Sequence, residues 1–185
     1  SAMFGRGADF RINECPLDVI EQEEGLTATF QGTTAVFVLS RTVGEGQDMP
    51  RSMYNNTEIA ADKAKNYLQL DSIEVELIEY LNQNFDDVIV LVNSPGMPEL
   101  GWTDEYENIH TVIYTGKPGD NGLNALAGIL SGDINPSGHL TDTIAFDALS
   151  SPAAQNFGDF AYYDKNGEQT DFNYVTYAEG IYVGY

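Results

Sequence analysis

The chain has 185 residues, 42% of them apolar and 20% charged, enough for one ordinary domain with a packed core and too apolar for wholesale disorder. Its 29 acidic residues against 8 basic ones give a net charge of −21. That balance opposes binding to nucleic-acid phosphates or to anionic membranes and favours a neutral or cationic ligand. Cys15 is the only cysteine, so an internal disulfide is excluded. With His110 and His139 as the only histidines there is no zinc spacing, and no D-x-[DN]-x-[DN]-G loop marks a calcium site. No cofactor or metal is expected. No apolar run reaches the roughly 18 residues that cross a bilayer. No leader peptide is visible, and Ser1-Ala2-Met3 read as a remnant ahead of an internal fragment. Localisation is not legible from this end.

Residues 1–34 are weakly patterned. Arg11 to Glu14 suit a short extended piece, and Pro16 to Glu24 suit a helical turn or two stopped by Gly25. Ala35 to Ser40 is the first buried strand, short, apolar and rich in valine. A strand buried on both faces belongs to a parallel sheet, and in such sheets ligands sit beyond the carboxyl ends. Gly44-Glu45-Gly46 stands at that end, with Asp48 just after it. The two glycines allow a sharp turn and a close approach to a ligand. Read blandly, this is a turn with a solvated carboxylate. Read for chemistry, Glu45 is an acid/base. Asp48 to Lys65 is a long polar connection, of the kind that forms lids or binding loops, with room for a short helix at Glu58 to Ala64.

Asp71 or Ser72 caps a helix whose stripe is Ile73, Leu77, Ile78, Leu81 and Phe85. Glu74 and Glu76 suit the positive end of its dipole. Val88 to Val92 is a second strand and Ile109 to Thr115 a third. Asn93-Ser94-Pro95-Gly96 follows the second, at the same edge as Glu45. Trp102, the only tryptophan, could stack on a sugar face or cover the core. Asp120 or Asn121 is positioned to cap a helix through Leu123, Leu126, Ala127 and Leu130, ended by Ser131-Gly132. The glycines before it lack the G-x-x-x-x-G-K-[ST] phosphate loop. Asn135 to Gly138 reads as a tight turn and Leu140 to Ile144 as an edge strand. Ser150 to Asp171 has no periodicity and reads as a surface excursion. The strand and helix order predicts an α/β fold, a mostly parallel sheet flanked by helices, divided as 1–34, 35–148 for the sandwich core, and 149–185.

Four stretches in order resemble the α/β sandwich domain of glycoside hydrolase family 3, the β-glucosidase family. Ser40-Arg41 leading to Gly44-Glu45-Gly46 and Asp48 is similar to its acid/base loop. Val90 to Ser94 followed by Glu99-Leu100-Gly101-Trp102 is similar to its next strand and loop. Gly116 to Asn124, then Gly132 to Gly138, is similar to its glycine loop, helix and Asn-Pro-Ser-Gly turn; Tyr177 to Tyr185 is similar to its return towards the active site. Met49 stands where the family usually has Arg, with Arg51 two residues later, and His139 follows Asn-Pro-Ser-Gly where Arg is common.

The resemblance implies a fragment of a larger retaining β-glucosidase of the clostridial type, with Glu45 as acid/base and Asp48, Arg51 and Trp102 supporting the loop or the substrate. The nucleophile would come from a barrel domain outside this chain, so the chain alone is expected to be inactive. Its partners would be a β-linked glucoside or oligosaccharide, that barrel and, through self-association, further copies of itself. The rival reading is a non-catalytic carbohydrate-binding or interaction module on the same fold. A nucleotide-binding domain is disfavoured because no G-x-G-x-x-G follows a strand.

Overall fold

A computed structural model describes residues 17, 20, 29–30, 32–43, 49–54, 56–116, 118–152, 154, 160–174, 176–177 and 180–181. The chain divides into two compact units, residues 1–144 and 145–185. The first is built on three strands, β1 (Thr34–Ser40), β2 (Asp87–Asn93) and β3 (Ile109–Tyr114), side by side in that order and all parallel. Helix α1 (Ser72–Asn84) connects β1 to β2, and helix α2 (Gly119–Leu130) follows β3. The α/β class and the parallel sheet expected from the sequence are both present.

The strands alternate, so one face of the sheet meets α1 and the other does not. Phe37 and Leu39 of β1 pair with Val90 and Val92 of β2, and all four are buried on the α1 side. Leu77 and Ile78 of α1 close over them, with Val75, Leu81 and Phe85 at the margin. Leu17 and Ile20, both helical, also pack on this cluster. Burying such a side chain contributes about 1.5–3 kcal/mol, which is why the strands hold despite the chain's charge. On the opposite face Val36 and Val38 remain 45% and 43% exposed. The sheet is thus less completely covered than an all-round buried strand implies.

Asp71 begins α1 with a reciprocal capping box. Its carboxylate accepts from the Glu74 amide, and Glu74 accepts from the Asp71 amide, both at 2.8 Å. Helix α2 departs from the expected cap. It starts at Gly119 with Pro118 at the cap position and no side-chain hydrogen bond there, so neither Asp120 nor Asn121 caps it. Gly132, with φ of +82°, ends it as expected.

Three local expectations fail. Residues 58–64 make turns rather than a helix, closed by short-range bonds from the Asp62 amide to the Ile59 carbonyl at 3.0 Å and from the Lys65 amide to the Asp62 carbonyl at 2.9 Å. Residues 140–144 form no strand; Leu140 is 58% exposed and lies against no neighbouring ladder. The stretch read as a patternless excursion holds an antiparallel hairpin, β4 (Phe160–Tyr163) and β5 (Gln169–Tyr174). Asp164 builds its turn by accepting from the amides of Asn166 and Glu168, while Gly167 takes φ of +82°. Phe160 and Tyr162 both pack on Tyr174, at 5.4 and 4.9 Å between ring centres. The pieces expected at residues 11–14, most of 16–25, and much of the family-like 177–185 stretch lie outside the described residues.

Candidate functional site at the carboxyl edge of the sheet

The three strands end together, and their exits are tied to one another. The Arg41 amide donates to the Asn93 carbonyl at 3.4 Å, and the Thr115 amide and hydroxyl both donate to the Val92 carbonyl at 3.0 Å. Ser94 is fully buried, donating to the Gly96 carbonyl and accepting from the Gly96 amide. The Met49 sulfur lies 3.8 Å from where a Cβ on Gly96 would stand, so the far stem of the β1 loop returns beside the β2 loop. Val43 and Met49 are the described residues on either side of residues 44–48. Glu45 and Asp48 themselves lie outside the described residues.

The near stem is held by a buried arginine. Arg41 is 3% exposed and spends all five guanidinium N–H groups. Nη1 and Nη2 donate to the two carboxylate oxygens of Glu74, at 2.6 and 2.8 Å. Nε donates to the Tyr67 carbonyl at 2.7 Å, Nη1 also to the Ser40 carbonyl, and Nη2 also to the Gln69 carbonyl. The guanidinium carbon sits 5.8 Å from the Tyr67 ring centre. The Tyr67 hydroxyl in turn bonds both the amide and the carbonyl of Thr42, each at 3.2 Å. Burial pushes this phenol above its ordinary value of 10, outweighing the Thr42 bond and the Arg41 charge, so it stays a donor at neutral pH.

The long connection after the loop is packed rather than lid-like. Met53, Asn56, Asp62, Tyr67 and Leu70 are buried along it. Met53 donates to the Lys65 carbonyl at 2.9 Å, and Ser52 and Asn66 form an antiparallel bridge. Arg51 is exposed on this connection. Trp102 is half-buried in a 3-10 turn, edge-on to Phe37 and to Tyr106, each at 6.2 Å between ring centres. Its Nε1 donates to the Glu99 carbonyl at 2.8 Å. Arg51 and Trp102 therefore belong to different segments.

Sequence reasoning missed Glu74, Tyr67 and Asp62 as parts of this edge. Glu74 was legible only as a dipole-compensating carboxylate. The signal for more was Asp71-x-x-Glu74, a capping box whose glutamate is drawn back over the helix start. Tyr67 and Asp62 sit in a polar, aperiodic stretch that carries no such signal. Among the described residues no cluster of His, Cys, Asp and Glu is arranged to hold a metal ion.

Beside this edge an open apolar groove of about 600 Å³ runs between β3, α2 and residues 136–144. Val112, Tyr114, Leu126, Ile129 and Leu140 line it, with His139 at its wall.

A parallel α/β sheet with its polar loops gathered at the carboxyl edge is the class of protein the fold defines. The profile of the glycosyl hydrolase family 3 C-terminal domain matches residues 19–185, and the chain belongs to that family. It is 30% identical to β-glucosidase A of Butyrivibrio fibrisolvens over 164 residues, which is 82% of this chain and 18% of that protein. It is 32% identical to a β-glucosidase of Ruminococcus albus over 152 residues, 82% of this chain and 13% of that one. A solved β-glucosidase from Paenibacillus barengoltzii superimposes with a TM-score of 0.62 at 28% identity, covering 80% of this chain and 15% of that one. The chain thus spans less than a fifth of the length of these relatives.

Proposed function

We propose that this chain supplies the acid/base carboxylate of a retaining glycoside hydrolase acting on β-linked glucosides or oligosaccharides, and that Glu45 is that carboxylate. The observation that supports it is position. Three residues, Arg41 to Val43, separate the end of β1 from Gly44-Glu45-Gly46, and that stem leaves the sheet at the edge where all three strands end. A retaining glycosidase needs two carboxyl groups roughly 5 Å apart. In this reading the second, the nucleophile, comes from a barrel domain, and the chain alone does not turn over substrate.

Glu45 first protonates the leaving oxygen and then deprotonates the water that releases the sugar. Closure against the barrel raises its pKa by removing water and by bringing up the partner carboxylate. Asp48 holds the loop by accepting backbone hydrogen bonds, as aspartate does in turns. Arg51, exposed beyond the loop, and Trp102, packed on Phe37, support the substrate or the loop in lesser roles.

The test is Glu45→Gln in the full-length enzyme. Loss should be greater for alkyl glucosides, whose leaving groups need a proton, than for dinitrophenyl glucosides. Azide should restore part of the turnover when deglycosylation limits. Equal losses for both substrates without azide rescue would give Glu45 a structural role and leave a non-catalytic module as the better reading.

A further inference from the structure

We propose that Arg41 is a positioning residue for the loop that carries Glu45, acting through Glu74 and Tyr67; this rests on the acid/base reading of Glu45. Glu45 follows the near stem, Arg41 to Val43, directly in the chain. Where that stem is held bears on where Glu45 is carried. The near stem is fixed with unusual completeness. Ser40 and Arg41 are held by the guanidinium, and Thr42 by the Tyr67 hydroxyl, which accepts from its amide and donates to its carbonyl. Apart from the Arg41 amide bond to the Asn93 carbonyl, every anchor lies 25 to 33 residues downstream, in the connection to α1 or in the first turn of α1 itself.

The chemistry of the clamp favours this over simple stabilisation. A buried ion pair contributes little net stability compared with apolar residues of similar volume, because both charges must leave water. What it supplies is geometry. A planar fork bonded to both oxygens of one carboxylate admits one orientation, and lysine cannot reproduce it. Arg41 has no donor left for a ligand, so it is not a substrate contact. Its effect must pass through the chain that follows. A displacement of about 1 Å in a reacting group can cost about 100-fold in rate.

The experiment compares Arg41→Lys, the double variant Arg41→Met with Glu74→Met, and Glu45→Gln in the full-length enzyme. Turnover is measured on alkyl and dinitrophenyl β-glucosides, with thermal melts and titration of folded active sites. The double variant removes both charges together, so it keeps the test usable if the lysine variant does not fold. The expected result is a fall in kcat of about 10- to 100-fold on the alkyl glucoside, a smaller fall on the dinitrophenyl glucoside, and little change in KM. If Glu45→Gln shows the leaving-group pattern and the Arg41 variants lose both activities equally, in proportion to folded sites, Arg41 is structural only and the positioning role is overturned while Glu45 stands. If Glu45→Gln itself lacks the pattern, the acid/base reading falls and the positioning role falls with it.

Discussion

Asp62 holds Ser72 with both carboxylate oxygens: Oδ2 accepts from the Ser72 amide at 3.0 Å and Oδ1 from its hydroxyl at 2.7 Å. The same carboxylate meets Lys65 at 2.7 Å and is fully buried. This ties the long connection to the start of α1, beside the Arg41 clamp. Burial pushes Asp62 upward, but the bonds from Lys65 and Ser72 outweigh it, and its carboxyl is held below its ordinary 3.8. A depressed carboxylate stabilises the fold above its unfolded value and loses that contribution as pH falls through its folded value. Asp62→Asn should therefore lower the melting temperature at pH 7, and its gap from the parent should close below pH 3.8. Melts from pH 7 to 2.5 are the check; a gap constant across that range would show that the charge of Asp62 is not what matters.

Asp71 makes the opposite case nine residues on. Burial first, then the charges of Glu74 and Asp62, raise its carboxyl above 3.8 despite the bond from the Glu74 amide and the charge of Arg41. A raised carboxylate costs stability once pH exceeds its folded value, since the native state holds the proton more tightly than the unfolded one. Asparagine caps helices as well as aspartate does. Asp71→Asn should thus be neutral or stabilising at pH 7, whereas Asp71→Ala should cost about 1 kcal/mol. Equal destabilisation by both, in urea titrations, would show that the charge is needed.

The chain by itself should not hydrolyse a nitrophenyl β-glucoside measurably. An acid/base without its nucleophile contributes only about 10²–10⁴-fold. Mixing in a separately produced barrel domain should restore turnover. Robust retaining hydrolysis by the purified chain alone would place both carboxylates within it.

Val36 and Val38 on the face away from α1, with Leu123 and Leu140 also exposed, leave apolar surface that favours association. The net charge of −21 opposes it by repulsion. Salt screens exposed charges beyond roughly 8 Å at physiological strength. Particle mass by light scattering should rise with salt. A strict monomer at high salt and high concentration, melting cooperatively, would show that this surface is inert.

The strands and α1 were legible because their side chains carry period and composition. Phe37 and Leu39 alternate with Val36 and Val38, and Leu77, Ile78 and Leu81 mark one side of a helix. The carboxyl edge was legible as a place, through Gly44-Glu45-Gly46 and Asn93 to Gly96. Its construction was not. Arg41 reads as a polar residue after a strand, and nothing local pairs it with Glu74, 33 positions away. The β4–β5 hairpin escaped for another reason: its turn is built by the Asp164 side chain, and its aromatic face by Phe160, Tyr162 and Tyr174 across a register shift, so neither strand alternates cleanly.

A similar irregularity sits in the first sheet. Val88 pairs with Ile109, but Ile89 pairs with Thr111, so His110 is an extra residue on β3. Ile109 and Tyr114 thereby both pack on the α1 cluster although their spacing is odd. His110 is 60% exposed at its side chain and touches Asp87, at 3.0 Å. Position 110 is thus a place where the strand can change length by one residue. A deletion there should restore regular pairing with β2 and leave Thr115 where it stands. The amino end of β3 can thus take up a one-residue change in length without moving the loops at the carboxyl edge.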